Sequence, residues 1–511
     1  MKISVISPNL SGCVSILDTG VTYLATYINE RTSHDASIWD YTFNRHRWQS
    51  YLLEKYKKDK PDVIGITHTT LYTSYVVETI KEIRNNISKD IPIVLGGYHP
   101  TLRPRESINL PGVDAVICGE GEYILSNYLD ALESKSELYN IPGLLFKLNN
   151  GSYFENSRAG WIEDISSLPF PDYELWEDID KYLYFIQQLW LIGSRGCPYP
   201  CTNCEEVYIK DASPGNRFRY RDPQNYVDEI KFQFERFGDR GLRMGHPFDP
   251  VFPINAQWTR EFCSKYIDAG MHTKLPLSIF ARGDTFYLHE GPGSARFQTF
   301  DHDRVKCLAE AGVREVRIGV ETGTDRMRNE IHKKMCTTKQ LEETFHYMQK
   351  HDMNTIAYNM LGGPTETRSE MFETLKLNWK LKPNKPIFFI YQMLAHDTQL
   401  SQVGNYDLSP DAISKDIFNS EDSERSDEDQ STIQFGEPMQ SKTFSKNFVV
   451  YFQLFCYSIF IGRRISKMIF KQRFEFFKNL YIYMRRGYKE KANMKIVFAY
   501  FLGSCEDNLF E

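Results

Sequence analysis

The chain has 511 residues, 41% hydrophobic and 25% charged, with a formal net charge of −6, the balance of a water-soluble protein of two or three domains. That composition holds no basic excess to draw the chain toward nucleic acid. Its longest apolar run, Phe448–Ile461, contains Gln453 and is too short to span a bilayer. The opening Met1-Lys-Ile-Ser-Val-Ile-Ser-Pro8 reads as a strand rather than a signal peptide, so a cytoplasmic location is expected.

From Met1 to Lys147, short β-branched runs alternate with amphipathic stretches, the pattern of βα units around a parallel sheet. Strands are expected at Lys2–Ile6, Ala36–Asp40, Val63–Thr67, Ile91–Gly96 and Ala115–Gly119, with helices over Gly20–Glu30, Arg47–Lys58 and Ser74–Asn86. Such a Rossmann-like, flavodoxin-like sheet binds ligands at the carboxyl ends of its strands, which brings Thr67, Gly96, Gly97, Gly119 and Glu120 to the candidate site.

Gly, Pro and Ser break both periodicities over 149–185, so a linker is expected after a first domain of residues 1–148. Leu189-Trp-Leu-Ile-Gly193 opens a second βα array. Later strands are expected at Leu242–Gly245, Leu277–Ala281, Glu315–Val320, Thr355–Met360 and Ile387–Gln392, giving a domain over 186–400 with its chemistry at the carboxyl ends of the strands. Residues 401–440, which include Glu421-Asp-Ser-Glu-Arg-Ser-Asp-Glu-Asp-Gln430, are too polar to bury a core and are expected to form a flexible acidic loop. The aromatic, basic stretch 441–511 is expected to be a helical domain packed on its parent domain, in preference to a membrane or nucleic acid.

Gly193-Ser-Arg-Gly-Cys197-Pro-Tyr-Pro-Cys201-Thr-Asn-Cys204 follows the first strand of the second array. Its C-x3-C-x2-C spacing gathers three thiolates in one loop, where they can hold three irons of a cubane cluster and leave the fourth open to a chelating small molecule. A structural zinc site is the competing reading, although zinc wants four ligands and no histidine is nearby; His246 is the closest. The other seven of the ten cysteines are scattered and read as buried hydrophobes, so no second cluster is expected.

On these residues the chain resembles the radical S-adenosylmethionine enzymes. Pro61-Asp-Val-Ile-Gly-Ile-Thr67, Pro92-Ile-Val-Leu-Gly-Gly-Tyr-His99 and Asp114-Ala-Val-Ile-Cys-Gly-Glu-Gly-Glu122 resemble the cobalamin-binding domain that precedes the radical domain in one subfamily. That resemblance implies an α/β protein: a cobalamin-binding domain, a partial (β/α)6 TIM-type barrel and a C-terminal helical region. It implies a 4Fe-4S cluster, S-adenosylmethionine and cobalamin as cofactors, with glycines letting the corrin approach the backbone. The D-x-H-x-x-G motif that carries the cobalt-ligating histidine in many cobalamin proteins is absent, Asp40-Tyr-Thr-Phe-Asn-Arg45 standing in its place, and His68 and His99 read more readily as bonded loop residues.

In the radical domain the resemblance extends to Phe280-Ala-Arg-Gly-Asp284, Ile318-Gly-Val-Glu-Thr-Gly-Thr324 and Tyr358-Asn-Met-Leu-Gly-Gly-Pro-Thr-Glu-Thr367. It implies Arg282 for the methionine carboxylate, Glu321 for a ribose or amino group, Gly319 for close passage of the ligand, Gly362 for the adenine pocket and Asp249 for the amino group. Ordinary ion pairing by Arg282 or Glu321, and loop capping by Asp249, remain open. Asn203 departs from the aromatic residue usual in the family, and His246-Pro-Phe-Asp249 departs from its usual phrase at the second strand end.

By resemblance the activity is reductive cleavage of S-adenosylmethionine to a 5′-deoxyadenosyl radical and methylation of an unactivated carbon of a small molecule. Oxidative cyclisation or rearrangement is the enzymatic alternative, and a non-catalytic iron-sulfur or cobalamin sensor is the alternative from another class. A reducing protein such as flavodoxin or ferredoxin is the expected partner, with no nucleic acid and no transmembrane segment.

Overall fold

A computed structural model of the chain describes residues 1–15, 17–209, 211–289, 297–391, 444–472 and 474–489. The acidic segment 401–440, with both of its flanks, lies outside the described residues, so the expectation of a flexible loop there is not addressed.

The first sheet contains β1 (Lys2–Ser7), β2 (Asp35–Asp40), β3 (Val63–Thr67), β4 (Ile93–Gly96), β5 (Ala115–Ile117), β6 (Leu144–Lys147) and β7 (Tyr153–Glu155). Its order is β2-β1-β3-β4-β5-β6-β7, the first five strands parallel and the last two an antiparallel hairpin at the edge. The parallel part has flavodoxin-like 2-1-3-4-5 order, which places the ligand crevice at the β1/β3 switch point. Helices Thr19–Arg31, Trp48–Asp59 and Thr73–Glu82 lie within a few residues of their expected bounds. The hairpin was not expected. Its turn at Gly151 (φ 84°) straddles residue 148, so the sheet runs on to Glu155.

The second sheet is fully parallel and follows chain order: β8 (Gln188–Leu191), β11 (Met244–Pro247), β12 (Leu277–Ala281), β15 (Val313–Glu321), β16 (Asn354–Leu361) and β17 (Lys385–Ile390). Two small antiparallel pairs, β9 (Ser194–Arg195) with β10 (Arg219–Tyr220) and β13 (Tyr287–His289) with β14 (Phe297–Phe300), decorate it. This is the six-stranded partial barrel. Its helices begin where the sequence supplies caps. Asp222 accepts from the Gln224 and Asn225 amides ahead of Pro223, and Thr367 with Glu370 forms a capping box, each cap contributing about 1 kcal/mol.

Strand β11 lies two residues beyond the expected Leu242–Gly245. Leu242 is spent on the core just after the Gly241 turn (φ 111°), and pairing with β8 starts only at Met244, which faces Gln188. His246 and Pro247 therefore sit inside the strand rather than after it.

Alternation along the barrel strands separates two faces. Val316, Ile318 and Val320 pack outward in the core while Glu315, Arg317, Gly319 and Glu321 face the lumen. The helix Lys446–Gln472 covers the free edge of β17: Gln453 donates to the Phe388 carbonyl at 2.6 Å, and the Tyr457 hydroxyl meets the same residue's N–H and C=O at 3.1 Å. An uncovered edge would invite strand pairing. The following helix, Phe474–Lys489, reaches the opposite side, where the Tyr483 hydroxyl donates to the Phe185 carbonyl just before β8. The C-terminal helices thus pack on the barrel at both margins of its open seam.

Candidate active site

The cysteine loop leaves β8 through Gly193 and β9. Gly196 (φ 83°) makes the turn, and a Cβ there would lie 2.5 Å from the Arg217 carbonyl, so only glycine fits. Cys197, Cys201 and Cys204 are half-buried and unbridged. Burial pushes the Cys197 thiol up to about 11 and the Cys204 thiol up to about 12, which coordination to a metal would reverse. Among the described residues no three His, Cys, Asp or Glu side chains are set to hold a single metal ion.

The loop is stitched to the far side of the barrel. The Thr202 amide donates to the His332 carbonyl at 3.1 Å and its hydroxyl to the Ile331 carbonyl at 2.7 Å. Arg282, at the end of β12, sends Nη1 to Cys201 Sγ at 3.0 Å, forks onto Asp284 at 2.8 and 3.0 Å, and lies 3.6 Å over the Tyr199 ring. Its fork is therefore engaged by Asp284. Glu321, at the end of β15, has φ 65°, a left-handed conformation unusual for a residue with a side chain, and pairs with Lys334. A Cβ on Gly319 would come within 2.3 Å of Lys334 Nζ, so that glycine makes room for the pair.

Gly362 (φ 82°) and Gly363 direct their amides to Glu366 Oε2 at 2.6 and 3.1 Å, and burial raises this carboxyl to about 8. Gly362 backs onto Val449 of the C-terminal helix, whereas Gly363 faces the ring of His332. His332 is wholly buried, and among the described residues neither of its ring nitrogens has a hydrogen-bond partner. Sequence reasoning missed Asp284, His332 and Lys334. Asp284 stood inside a quoted phrase, while His332 and Lys334 lie after β15 where no motif pointed to them. Asp249 accepts from the Gly193 amide at 3.3 Å and the Ser194 hydroxyl at 2.5 Å, so it braces the entry to the cysteine loop. Asn203 turns its amide toward Met360 Sδ at 3.7 Å.

The carboxyl ends of β3, β4 and β5 face this loop. Thr70 Oγ1 donates to Glu205 at 3.4 Å and Tyr98 donates to Glu206 at 2.6 Å, one and two residues beyond Cys204. A Cβ on Gly96 would meet nothing within 4 Å, which leaves an open cradle beside it, whereas Gly97 (φ 109°) already lies against His68. The His68 and His99 rings stack 4.0 Å apart. His68 Nδ1 is buried with no hydrogen-bond partner among the described residues, and burial holds that imidazole down at about 2. Asp40 is locked to Thr42 and Tyr182, and Thr42 stands where the motif would carry its histidine.

Thr67 donates to Asp18 at 3.1 Å, and Gly119 approaches Ser213. Glu120 is ion-paired to Arg195, Arg217 and Arg219 of the second domain, and Glu122 to Arg195. Thr67 and Glu120 are thereby committed to protein partners, and of the expected cofactor-binding glycines Gly96 borders the open space.

The B12 binding domain family matches residues 15–129, and the radical SAM superfamily matches residues 191–377. The chain carries a B12-binding domain ahead of a radical S-adenosylmethionine domain. It is 28% identical over 369 residues to an uncharacterized methyltransferase of Pyrococcus horikoshii, covering 71% of this chain and 73% of that protein. It is 25% identical over 350 residues to the anaerobic magnesium-protoporphyrin IX monomethyl ester cyclase of Cereibacter sphaeroides, covering 66% of this chain and 53% of the cyclase. The structure of the cobalamin-dependent S-adenosylmethionine radical enzyme OxsB with aqua-cobalamin bound shares the fold, with TM-score 0.66 and 15% identity over 98% of this chain and 72% of that one. A B12-binding domain and a radical S-adenosylmethionine domain call for cobalamin, S-adenosylmethionine and a 4Fe-4S cluster. The residues fit them: among the described residues three cysteines gather in one loop with no fourth beside them, and the backbone at Gly96 is open to a ligand. No described helix is long and apolar enough to cross a membrane.

Proposed function

We propose that the protein methylates an unactivated carbon of a small molecule. A cluster held by Cys197, Cys201 and Cys204 would supply reductive cleavage of S-adenosylmethionine, and cobalamin held at the carboxyl ends of β3 to β5 would supply the methyl group. The observation that carries this reading is the meeting of two sites: Tyr98, at the end of β4 beside Gly96, is hydrogen-bonded to Glu206 at 2.6 Å, two residues beyond Cys204. A substrate held between the two sites lies within reach of both, and proximity of this kind converts separate encounters into one oriented step.

In this reading Cys197, Cys201 and Cys204 hold three irons and Arg282 steadies the loop through the Cys201 sulfur. Glu321 with Lys334, and His332 beside Gly363, border S-adenosylmethionine, while Gly96 admits the corrin edge. In this reading the chain divides into the cobalamin domain, a linker, the barrel, an acidic segment and a C-terminal helical region, with the first domain carried on to Glu155 by its edge hairpin. The location is cytoplasmic and the electron donor a flavodoxin or ferredoxin, in keeping with nine described cysteines that are all free. Similarity to the cyclase supports a second reading, oxidative ring closure on the same cofactors.

Anaerobic reconstitution with iron, sulfide and hydroxocobalamin, followed by dithionite and S-adenosylmethionine, tests the proposal. Formation of 5′-deoxyadenosine is expected, with loss of both cluster absorbance and cleavage on Cys197→Ala, Cys201→Ala or Cys204→Ala. A protein that forms no 5′-deoxyadenosine is a sensor rather than an enzyme. Product mass decides the rest: a gain of one methylene is methylation, and a loss of hydrogen is cyclisation.

A further inference from the structure

Barrel lumens are ordinarily filled by interdigitating side chains, yet one layer of this lumen is faced with aromatic rings that remain reachable by solvent. Trp190 of β8 stacks on Phe248, which follows β11, at 4.1 Å and 1°. Phe280 of β12 lies 5.7 Å from Phe248 and 6.0 Å from Tyr358 of β16, and Tyr358 stacks on Phe389 of β17 at 5.7 Å. Phe248 is 39% exposed and Phe389 38%, although Phe389's neighbours Phe388 and Ile390 are buried against the C-terminal helix. Apolar surface left open in a concavity costs about 25 cal/mol per Å² and marks a place for an apolar ligand.

The height of this layer is fixed by its neighbours. Phe280 precedes by two residues Arg282, which touches Cys201, and Tyr358 precedes by two residues Met360, which touches Asn203. At about 3.3 Å per residue the rings lie roughly 6.6 Å below the cysteine loop.

Two polar groups stand among these rings: the Arg317 guanidinium, 5.8 Å over the Phe280 ring, and the His246 imidazole. His246 is wholly buried, flanked by Phe248 at 5.7 Å and Phe280 at 5.1 Å, and its Nδ1 lies 2.6 Å from the Ser278 carbonyl. A carbonyl only accepts, so Nδ1 carries the proton. Burial holds the imidazole neutral, assisted by the nearby positive charge of Arg317, which itself pairs with Glu315 and Gln188. Nε2 is then a lone-pair acceptor, and among the described residues it has no hydrogen-bond partner. An unpaired buried acceptor costs about 1–3 kcal/mol, which a ligand donor would relieve.

We infer that the ring-lined layer of the lumen is the substrate chamber, and that it takes a planar conjugated ring system bearing one N–H or O–H donor directed at His246 Nε2. The inference rests on the radical reading for its chemistry, since the layer lies directly beneath the cysteine loop, but ring binding requires no turnover and is tested apart from it.

Indole and benzofuran, the same bicycle with and without the N–H, are titrated against the reconstituted enzyme by saturation-transfer NMR and equilibrium dialysis. Indole is expected to bind saturably and benzofuran about tenfold more weakly. His246→Phe should bring the two within twofold, and Trp190→Ala should weaken both severalfold in a variant with wild-type circular dichroism and iron content. Should Trp190→Ala fail to fold, Phe389→Leu carries the same expectation. Equal affinities in the wild type, no indole binding, or displacement of indole by S-adenosylmethionine in simple competition overturns the chamber. Absence of indole binding in an enzyme that still forms 5′-deoxyadenosine sinks the chamber alone; intact indole binding without 5′-deoxyadenosine sinks the radical reading alone.

Discussion

Arg282 donates a hydrogen bond to the sulfur of Cys201 at 3.0 Å while its remaining nitrogens are fixed by Asp284. A donor aimed at a ligating sulfur stabilises the extra negative charge of a reduced cluster, and a guanidinium held by a carboxylate fork keeps that donor in place. Arg282→Lys retains a buried positive charge for Asp284 but loses the fork. Iron content should stay near wild type, the cluster midpoint should become more negative in an EPR-monitored titration, and cleavage of S-adenosylmethionine should slow about tenfold. An unchanged midpoint would remove Arg282 from the tuning of the cluster.

Glu120 joins the two domains. Its carboxylate is almost fully buried against Arg195, Arg217 and Arg219, and its Oε2 also accepts from the Ile162 amide at 2.7 Å. Removing one member of a buried ionic cluster leaves its partners uncompensated, at a cost of about 3–5 kcal/mol. Glu120→Ala should therefore lower the thermal midpoint and open the 149–185 segment to limited proteolysis. A variant that melts and resists protease like the wild type would show the domains to be held by other contacts.

These two residues also mark what could be read from the sequence and what could not. Alternating runs gave the parallel strands of both sheets because period and propensity are local, and the cysteine spacing pointed to the cluster for the same reason. Glu120 sits in a Gly-Glu-Gly-Glu phrase that looks like a ligand loop, because nothing local shows that its arginines arrive from 75 and 99 residues away. Leu242 resembled the start of a strand on hydrophobicity alone, yet the Gly241 turn delayed pairing to Met244 and so moved His246 into the lumen. His332 carries no motif. Only the fold places its ring against Gly363.

Gly96 and Gly97 predict different outcomes although they are adjacent. Gly97 has φ 109°, and a Cβ there would press on the His68 carbonyl at 3.0 Å, so any substitution strains the backbone whatever is bound. A Cβ on Gly96 meets nothing within 4 Å. Gly96→Leu should consequently unfold at the wild-type denaturant midpoint and keep its iron, yet retain at least tenfold less corrinoid after gel filtration, by absorbance. Undiminished corrinoid would move the cradle away from β4.

Asp249 makes the entry to the cysteine loop sensitive to pH. Burial raises its carboxyl to about 7, only partly opposed by hydrogen bonds from Ser194 and the Gly193 amide. Because the folded value lies above the unfolded one of about 3.9, the folded protein binds the extra proton between roughly pH 4 and pH 7. This group's contribution is therefore fully present below pH 4, is lost progressively as the pH rises through that window, and is gone above pH 7. The interval corresponds to at most about 4 kcal/mol. Asp249→Asn keeps an acceptor for Gly193 or Ser194 and cannot titrate. Urea unfolding of the apo-protein from pH 5 to pH 8 should show the wild type losing stability relative to the variant as the pH rises, with the difference levelling off above pH 7. Parallel curves across that range would mean that Asp249 is already ionised in the folded protein, so that its hydrogen bonds outweigh its burial.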